Sequence, residues 1–423
     1  MGKSTDSNDV RVSRVAIVGG GPGGAVLATH LARAGIKVAI FTQPKRPVIV
    51  IGESLVPAIV PMLRELGVEE EIATYSIRKT GATFCFNSCE RLNIRFGEVR
   101  GGRTDYSYNV PRDRFDATLL EAAVGAGAVL VEHPARLVRV PGTERLELAD
   151  ESLAAVAHVF GGSAPDFIVD AGGRKRTGAR LLELPYEEGP RKDTALHAHH
   201  TGVEVEIEGN VHTDRLDYGW AWRIPLPGRV SVGIVVDAAR LAGCGATLEE
   251  QYDNFLRRDS VLSRWVAPAV RVTPVVRYTN YQLSTSRGFG ENWALVGDAF
   301  GFIDPVFSSG TLIAFESARD LAQALVSGSR DDLAEWEALM HRRFRAWRRV
   351  VDIFYNGRLL TLLKMGDSMR RTIPGKMVDW HFRKHMPRIF TGEGVTSAYS
   401  LGLLTFMAEH ALWNNDPEML RIA

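Results

Sequence analysis

Val15-Ala16-Ile17-Val18-Gly19-Gly20-Gly21-Pro22-Gly23-Gly24 is the stretch that decides the fold of this chain. Its four apolar residues read as a short buried strand, and the glycine run behind them holds G-x-G-x-x-G at Gly19, Gly21 and Gly24. Val26, Leu27, His30, Leu31 and Ala34 then recur at helical spacing, Gly35 stops the pattern, and residues 38–41 make a second strand. Strand, glycine turn, helix and strand in this order form a dinucleotide-binding unit. The glycines let the backbone approach a pyrophosphate, and the helix N-terminus offers unpaired N–H groups and a partial positive charge. At the end of the second strand, where a carboxylate usually meets the ribose hydroxyls, the chain has Thr42-Gln43. A hydroxyl or amide lacks the charge-assisted grip of a carboxylate, so a loosely held cofactor is expected.

Working outward, 423 residues with 45% hydrophobic and 24% charged content describe a soluble globular protein of two domains. A net charge of +1 lacks the basic excess of a nucleic-acid binder. The clusters Arg174-Lys175-Arg176 and Arg342, Arg343, Arg345, Arg348 and Arg349 read as solvated turns and helix faces. Cys85, Cys89 and Cys244 build no disulfide framework, which suits a reducing cytoplasm, and Cys85 and Cys89 read as partly buried thiols on a sheet. The first fourteen residues are polar, and no run approaches the ~18 apolar residues of a membrane span. A cytoplasmic protein without membrane or nucleic-acid partners is therefore expected. His197, His199 and His200 lie close together, with His197 and His199 on one strand face, but no acidic or cysteine partner stands at ligand spacing. No metal site is expected there.

Strand-like alternation runs through residues 203–207, 220–224, 230–235 and 275–278, predicting a substrate-side sheet. Residues 312–325 are helical, and 332–363 form a longer amphipathic stretch. The tail is rich in Trp380, His381, Phe382, His385, Met386, Phe390, Phe406 and Met407, which suits helices packed over an aromatic substrate or over an ordinary core.

Further motifs are Gly52-Glu53-Ser54-Leu55-Val56-Pro57, Val110-Pro111-Arg112-Asp113-Arg114-Phe115-Asp116, Asp170-Ala171-Gly172-Gly173, Gly297-Asp298, and Asp304-Pro305-Val306-Phe307-Ser308-Ser309-Gly310. In this order, from about residue 15 to about residue 325, they resemble the class A flavoprotein monooxygenases. Gly219-Trp220-Ala221-Trp222-Arg223-Ile224-Pro225 contains W-x-W-x-I-P, and Lys79 precedes Thr80-Gly81-Ala82-Thr83-Phe84. These two features are similar to those of the flavin-dependent halogenases, especially the phenol, pyrrole and carrier-protein-substrate members.

The resemblance implies an α/β fold. A Rossmann-like FAD-binding domain over 1–330 carries an inserted substrate sheet at about 76–104 and 186–285, and a helical substrate-side region covers 331–423. It implies that Gly19, Gly21, Gly24, Glu53, Ser54, Arg112, Gly297 and Asp298 hold FAD. In that family reduced FAD, dioxygen and chloride or bromide give hypohalous acid, which halogenates an aromatic substrate in secondary metabolism such as antibiotic biosynthesis. Ser309 and Gly310 would bind the halide, since backbone N–H groups at a helix start attract an anion. Trp220, Trp222, Ile224 and Pro225 would form a barrier of rigid apolar bulk, the two indoles sharing one strand face. Lys79 would be the catalytic lysine, its pKa free to move in an enclosed site.

With a single dinucleotide unit, reduced FAD is expected from a separate flavin reductase. Tryptophan halogenases carry a glutamate immediately before the Ser-Thr-Gly of their halide loop, and here Phe307 stands on the substrate side in its place. The expected substrate is therefore an electron-rich phenol or pyrrole, free or tethered to a carrier protein. An NADPH-dependent single-component aromatic hydroxylase, a non-catalytic flavin-binding protein and a reductase of isoprenoid chains are the competing readings.

Overall fold

The computed structural model describes residues 12–44, 49–87, 89–99, 102, 104–279, 282–369, 385, 387–395, 397–412 and 415–422. Strand Arg14–Val18 sits at the centre of a five-stranded sheet, all parallel. Across that sheet the order is Trp293–Leu295, Phe167–Asp170, Arg14–Val18, Lys37–Phe41 and Val129–Val131. Its inner strands are nearly continuous apolar runs because both faces are covered, as a parallel sheet requires. Helix Pro22–Arg33 opens with proline in its first turn, where the missing N–H costs nothing. It packs against helices Arg112–Gly125 and Ser309–Ser327.

A second, larger sheet runs in the order Val270–Arg271, Thr194–Thr201, Arg229–Val236, Gly219–Leu226, Val211–Leu216, Gly81–Cys85 and Arg91–Arg95. Strand Val276–Thr279 also pairs with Thr194–Thr201. Only Val211–Leu216 and Gly81–Cys85 pair in parallel; the other pairs are antiparallel. One face joins the main core through Ala195, Trp220, Trp222 and Val235. The other carries its own core of Leu196, Ala198, Val232, Ile234, Tyr252 and Leu256 under helix Leu248–Arg258. That helix starts at a reciprocal cap, Thr247 with Glu250.

Several sequence expectations change. Residues 203–207 are not a strand, although their apolar and acidic residues alternate. Val203 is buried, Glu206 pairs with Arg91, and the Glu204 carbonyl accepts from Arg223 Nη1 at 2.9 Å, so the segment wraps the sheet without joining its ladder. The neighbouring strand is Thr194–Thr201, whose buried histidines interrupt the apolar pattern. The 332–363 stretch is two helices, Arg330–Tyr355 and Arg358–Met369. The break falls at Gly357, whose φ is 77°, and a Cβ there would lie 2.2 Å from the Pro417 carbonyl oxygen.

The basic clusters are less solvated than expected. Arg176 is buried and donates to Thr285 Oγ1 at 2.8 Å, while Arg343 pairs with Glu316 and Asp320. Cys85 is buried on its strand but Cys89 is exposed. No helix among the described residues is long and apolar enough to cross a membrane. His385, Phe390 and Met407 are buried and Phe406 is exposed. Trp380, His381, Phe382, Met386 and residues 1–11 lie outside the described residues.

Candidate active site

The glycine turn divides its labour. A Cβ at Gly19, whose φ is +115°, would lie 2.4 Å from the Ala171 carbonyl oxygen, and one at Gly24 would lie 2.0 Å from the Gly19 carbonyl oxygen. Both glycines are therefore required by close backbone packing. A Cβ at Gly21 would meet nothing within 4 Å, which leaves the helix N-terminus open to a pyrophosphate. Beside it, Asp170 holds the Asp-Ala-Gly-Gly turn by accepting from Gly172 N at 2.9 Å and Gly178 N at 2.7 Å. Gly297 has φ 60°, and the side chain of Asp298 is 34% exposed, 3.9 Å from Arg174 Nε. Thr42 stands at the same turn, and a Cβ at Gly20 would lie 3.0 Å from its hydroxyl.

Gly52, with φ +102°, brings its backbone against Arg112, whose Nη1 would be 2.7 Å from an added Cβ. Arg112 donates from Nε and Nη2 to Asp116 at 2.9 and 3.2 Å and from Nη1 to the Ile51 carbonyl at 2.5 Å. Glu53 turns inward: its Oε1 lies 2.7 Å from His199 Nε2, both side chains being 3% exposed. The Glu53 carbonyl accepts from Val110 N at 2.7 Å and Leu55 N donates to the Tyr108 carbonyl at 2.9 Å. This lays the Gly-Glu-Ser segment alongside strand Ser107–Asn109, which also pairs with strand Ile77–Lys79.

That arrangement delivers Lys79. Its Nζ donates to Ser54 Oγ at 2.8 Å and to the Leu55 carbonyl at 2.9 Å, and lies 5.5 Å from the Phe96 ring centroid. Both acceptors are neutral. Burial therefore pushes the amine down to about 7, so the group gains or loses its proton near neutral pH.

Trp220 and Trp222 share one face of strand Gly219–Leu226, with ring centroids 5.6 Å apart. Trp222 lies across Gly233 and donates from Nε1 to Ser231 Oγ at 3.2 Å; a Cβ at Gly233 would strike the indole at 2.1 Å. Ile224 and Pro225 are buried further along the strand. His197 stands between Trp222 and Tyr278, 5.8 and 5.7 Å away, and burial pushes its imidazole down to about 4. It is neutral at working pH. Trp220 Nε1 donates to Tyr355 Oη at 2.8 Å, and Tyr355 Oη donates to Asp304 Oδ2 at 2.9 Å.

Asp304 opens the loop that leads to helix Ser309–Ser327. Ser309 is buried, and a Cβ at Gly310 would enter open space. Phe307 is buried 5.5 Å from Phe354, 5.9 Å from Phe390 and 6.4 Å from Trp347. Phe390 also sits 5.0 Å from Phe84. The neighbouring Thr391 carbonyl accepts from Ala58 N at 2.9 Å, and a Cβ at Gly392 would press on Leu312, Ala58 and Val56. The segment around residue 390 thus closes over both the Gly-Glu-Ser loop and the helix start.

The open positions at Gly21 and Gly310 and the partly exposed Asp298 fit residues that would hold FAD, with Gly21 leaving the helix N-terminus free for its pyrophosphate. The sequence does not signal Tyr355 or Arg191, nor the pairing of His199 with Glu53. Arg191 lies 3.7 Å over the Tyr355 ring centroid. Glu53 for His199, Asp304 for Tyr355 and Tyr355 for Arg191 are remote in sequence, so no spacing signals these meetings. Among the described residues, no group of three His, Cys, Asp or Glu side chains could hold a metal.

Against known proteins, the tryptophan halogenase family model matches residues 14–104 and 95–359. A chlorinase from Pseudomonas fluorescens, named for 1H-pyrrole-2-carbonyl on a peptidyl-carrier protein, is 27% identical over 393 residues, covering 82% of this chain and 84% of the relative. A tryptophan 2-halogenase from Chondromyces crocatus is 28% identical over 370 residues, covering 81% and 68%. The solved structure of a flavin-dependent brominase superposes with a TM-score of 0.78 at 20% identity, covering 94% of this chain and 98% of that one.

Proposed function

This chain belongs to the tryptophan halogenase family and is a flavin-dependent halogenase of aromatic compounds; from that premise we propose that its substrate is an electron-rich phenol or pyrrole, free or carrier-tethered. Phe307 carries the reading. It occupies the position where tryptophan-directed members of the family hold a glutamate, and its neighbours Trp347, Phe354 and Phe390 are apolar too. A phenyl ring neither takes a proton nor offsets a positive charge, so the substrate must spread that charge over its own oxygen or nitrogen. Relatives named for pyrrole and for tryptophan substrates are about equally similar, so their names do not choose between the two, and the reading rests on Phe307.

Bound and reduced, FAD supplies with dioxygen and a halide the hypohalous acid that halogenates the ring. Gly21 would admit the pyrophosphate at the helix N-terminus, in a turn shaped by Gly19 and Gly24, and Gly297, Asp298, Arg112 and Ser54 would hold the cofactor. Glu53 acts one step back, anchored on His199. Ser309 and Gly310 present backbone N–H groups and open space to the halide. Trp220, Trp222, Ile224 and Pro225 keep the organic substrate away from the flavin. Lys79 meets the oxidant beyond them, as a free amine or as an ammonium that hydrogen-bonds it, and holds or releases its own proton at Nζ. A separate flavin reductase supplies the reduced cofactor, and Thr42 in place of a carboxylate keeps that cofactor exchangeable.

Turnover of free tryptophan is compared with that of phenols and pyrrolyl thioesters, using reduced FAD, dioxygen and chloride or bromide. Halogenated phenol or pyrrole is expected; preferred halogenation of the tryptophan indole overturns the substrate reading. Rapid NADPH oxidation by the purified chain alone overturns the need for a reductase.

A further inference from the structure

We infer that Tyr355 is a positioning residue for halogenation: its one hydroxyl sets both the loop leading into the halide site and the orientation of the Trp220 barrier. This rests on reading Ser309 and Gly310 as that site. Tyr355 closes helix Arg330–Tyr355, outside every motif that carries the family resemblance. Its hydroxyl accepts from Trp220 Nε1 at 2.8 Å and donates to Asp304 Oδ2 at 2.9 Å. Burial, with Asp304 beside it, pushes the phenol well above its usual value. The proton therefore stays on the oxygen, and the direction of both bonds is settled.

From Asp304 the control passes down the loop. Its Oδ1 accepts from Val306 N at 3.0 Å, and Ser308 N donates to the Pro305 carbonyl at 3.1 Å. Ser308 itself is left-handed, with φ 55°, immediately before Ser309. A non-glycine residue persists in that conformation only where its surroundings over-determine it. On the other side, Trp220 stands 5.6 Å from Trp222, so turning one indole disturbs the other. The Tyr355 ring is clamped independently: the Arg191 guanidinium covers its face at 3.7 Å and is itself held by Asp193 at 2.6 Å. Tyr355→Phe therefore removes the hydroxyl and keeps the ring.

The test uses the full chain with FAD supplied reduced, dioxygen, graded bromide and a phenol it halogenates. In Tyr355→Phe the bromide KM should rise about tenfold and halogenated product per flavin oxidised should fall several-fold, while flavin oxidation stays within about twofold. A Trp220→Phe, Tyr355→Phe double variant should lose less than the product of the single losses, because both remove the same bond. A folded Tyr355→Phe with unchanged bromide KM and unchanged product yield overturns the inference. Should Tyr355→Phe fail to fold, Trp220→Phe decides. Trp220 reaches the loop through Tyr355, so its bromide KM should rise about two- to threefold, and no rise overturns the inference. Gly310→Ala separates the two readings. If it leaves the bromide KM unchanged, the halide site is misplaced and Tyr355 is judged on product yield alone. If it raises the KM and Tyr355→Phe changes neither the KM nor the product yield, the Tyr355 inference falls by itself.

Discussion

Lys79 and Arg223 are both buried cations, and the fold treats them in opposite ways. Arg223, with no side-chain exposure, grips the equally buried Asp214 through two hydrogen bonds of 2.9 and 2.8 Å and gives a third to the Glu204 carbonyl. Burial pulls its pKa down, but Asp214 outweighs it and the net direction is up. Its guanidinium also lies 4.3 Å from the Trp265 ring centroid. Lys79 is almost as buried yet has a hydroxyl and a carbonyl for partners, so nothing repays the desolvation of its charge. Burial alone therefore does not define a functional cation. A partner that carries charge fixes the proton, and one that does not leaves it free to move.

The comparison breaks first at Lys79 itself. Lys79→Ala should cut halogenated product by roughly 10²–10⁴-fold while reduced flavin is still consumed and peroxide released. A comparable yield of halogenated product, measured by mass, would show that the uncompensated amine is idle. Arg223→Met should act on stability instead, costing about 3–5 kcal/mol because Asp214 is left buried with its charge. Urea melts read this, and adding Asp214→Leu should restore much of the loss; no restoration would mean that the pair is not what the substitution breaks.

Protonation sharpens the contrast. The folded Lys79 amine titrates near 7 against an ordinary 10.5 unfolded, so the unfolded chain binds more protons across that window. Stability should therefore climb as pH rises from about 7 toward about 10, by up to about 1.4 kcal/mol per unit, with the full penalty present below about 7. Urea midpoints of the wild type minus those of Lys79→Met should show the climb, and a difference flat with pH would remove Lys79 as its source. The smallest effect is expected at Ser54→Ala, which takes one acceptor from Lys79 and costs about 1 kcal/mol. Unchanged urea midpoints together with an unchanged pH profile of halogenation would show that Ser54 does not hold the amine.

The nucleotide unit was legible because its signals are local: a strand, a glycine turn and a helix each announce themselves within a few residues. The shared face of Trp220 and Trp222 was legible too, since a strand repeats every two residues. Residues 203–207 misled because alternation reports sidedness and not whether a partner strand lies within bonding distance. Thr194–Thr201 falls outside the predicted sheet, although His197 and His199 read as sharing one strand face, because histidine reads as polar; in this interior burial keeps His197 neutral. Glu53 with His199, and Tyr355 with Asp304, join segments brought together only by tertiary packing, and no periodicity encodes such a meeting.

The closure by Phe390 and Thr391 also has a consequence in time. Both lie far downstream of the surfaces they cover at Ala58, Phe84 and Phe307. During synthesis the upstream sheets can form as soon as they emerge, since domains fold largely in the order in which they are made. The front of the site, however, stays open until the segment around residue 390 arrives. A chain interrupted earlier would hold the residues proposed to gather cofactor and halide but lack their cover. Whatever oxidant such a fragment made would meet solvent before it met a substrate.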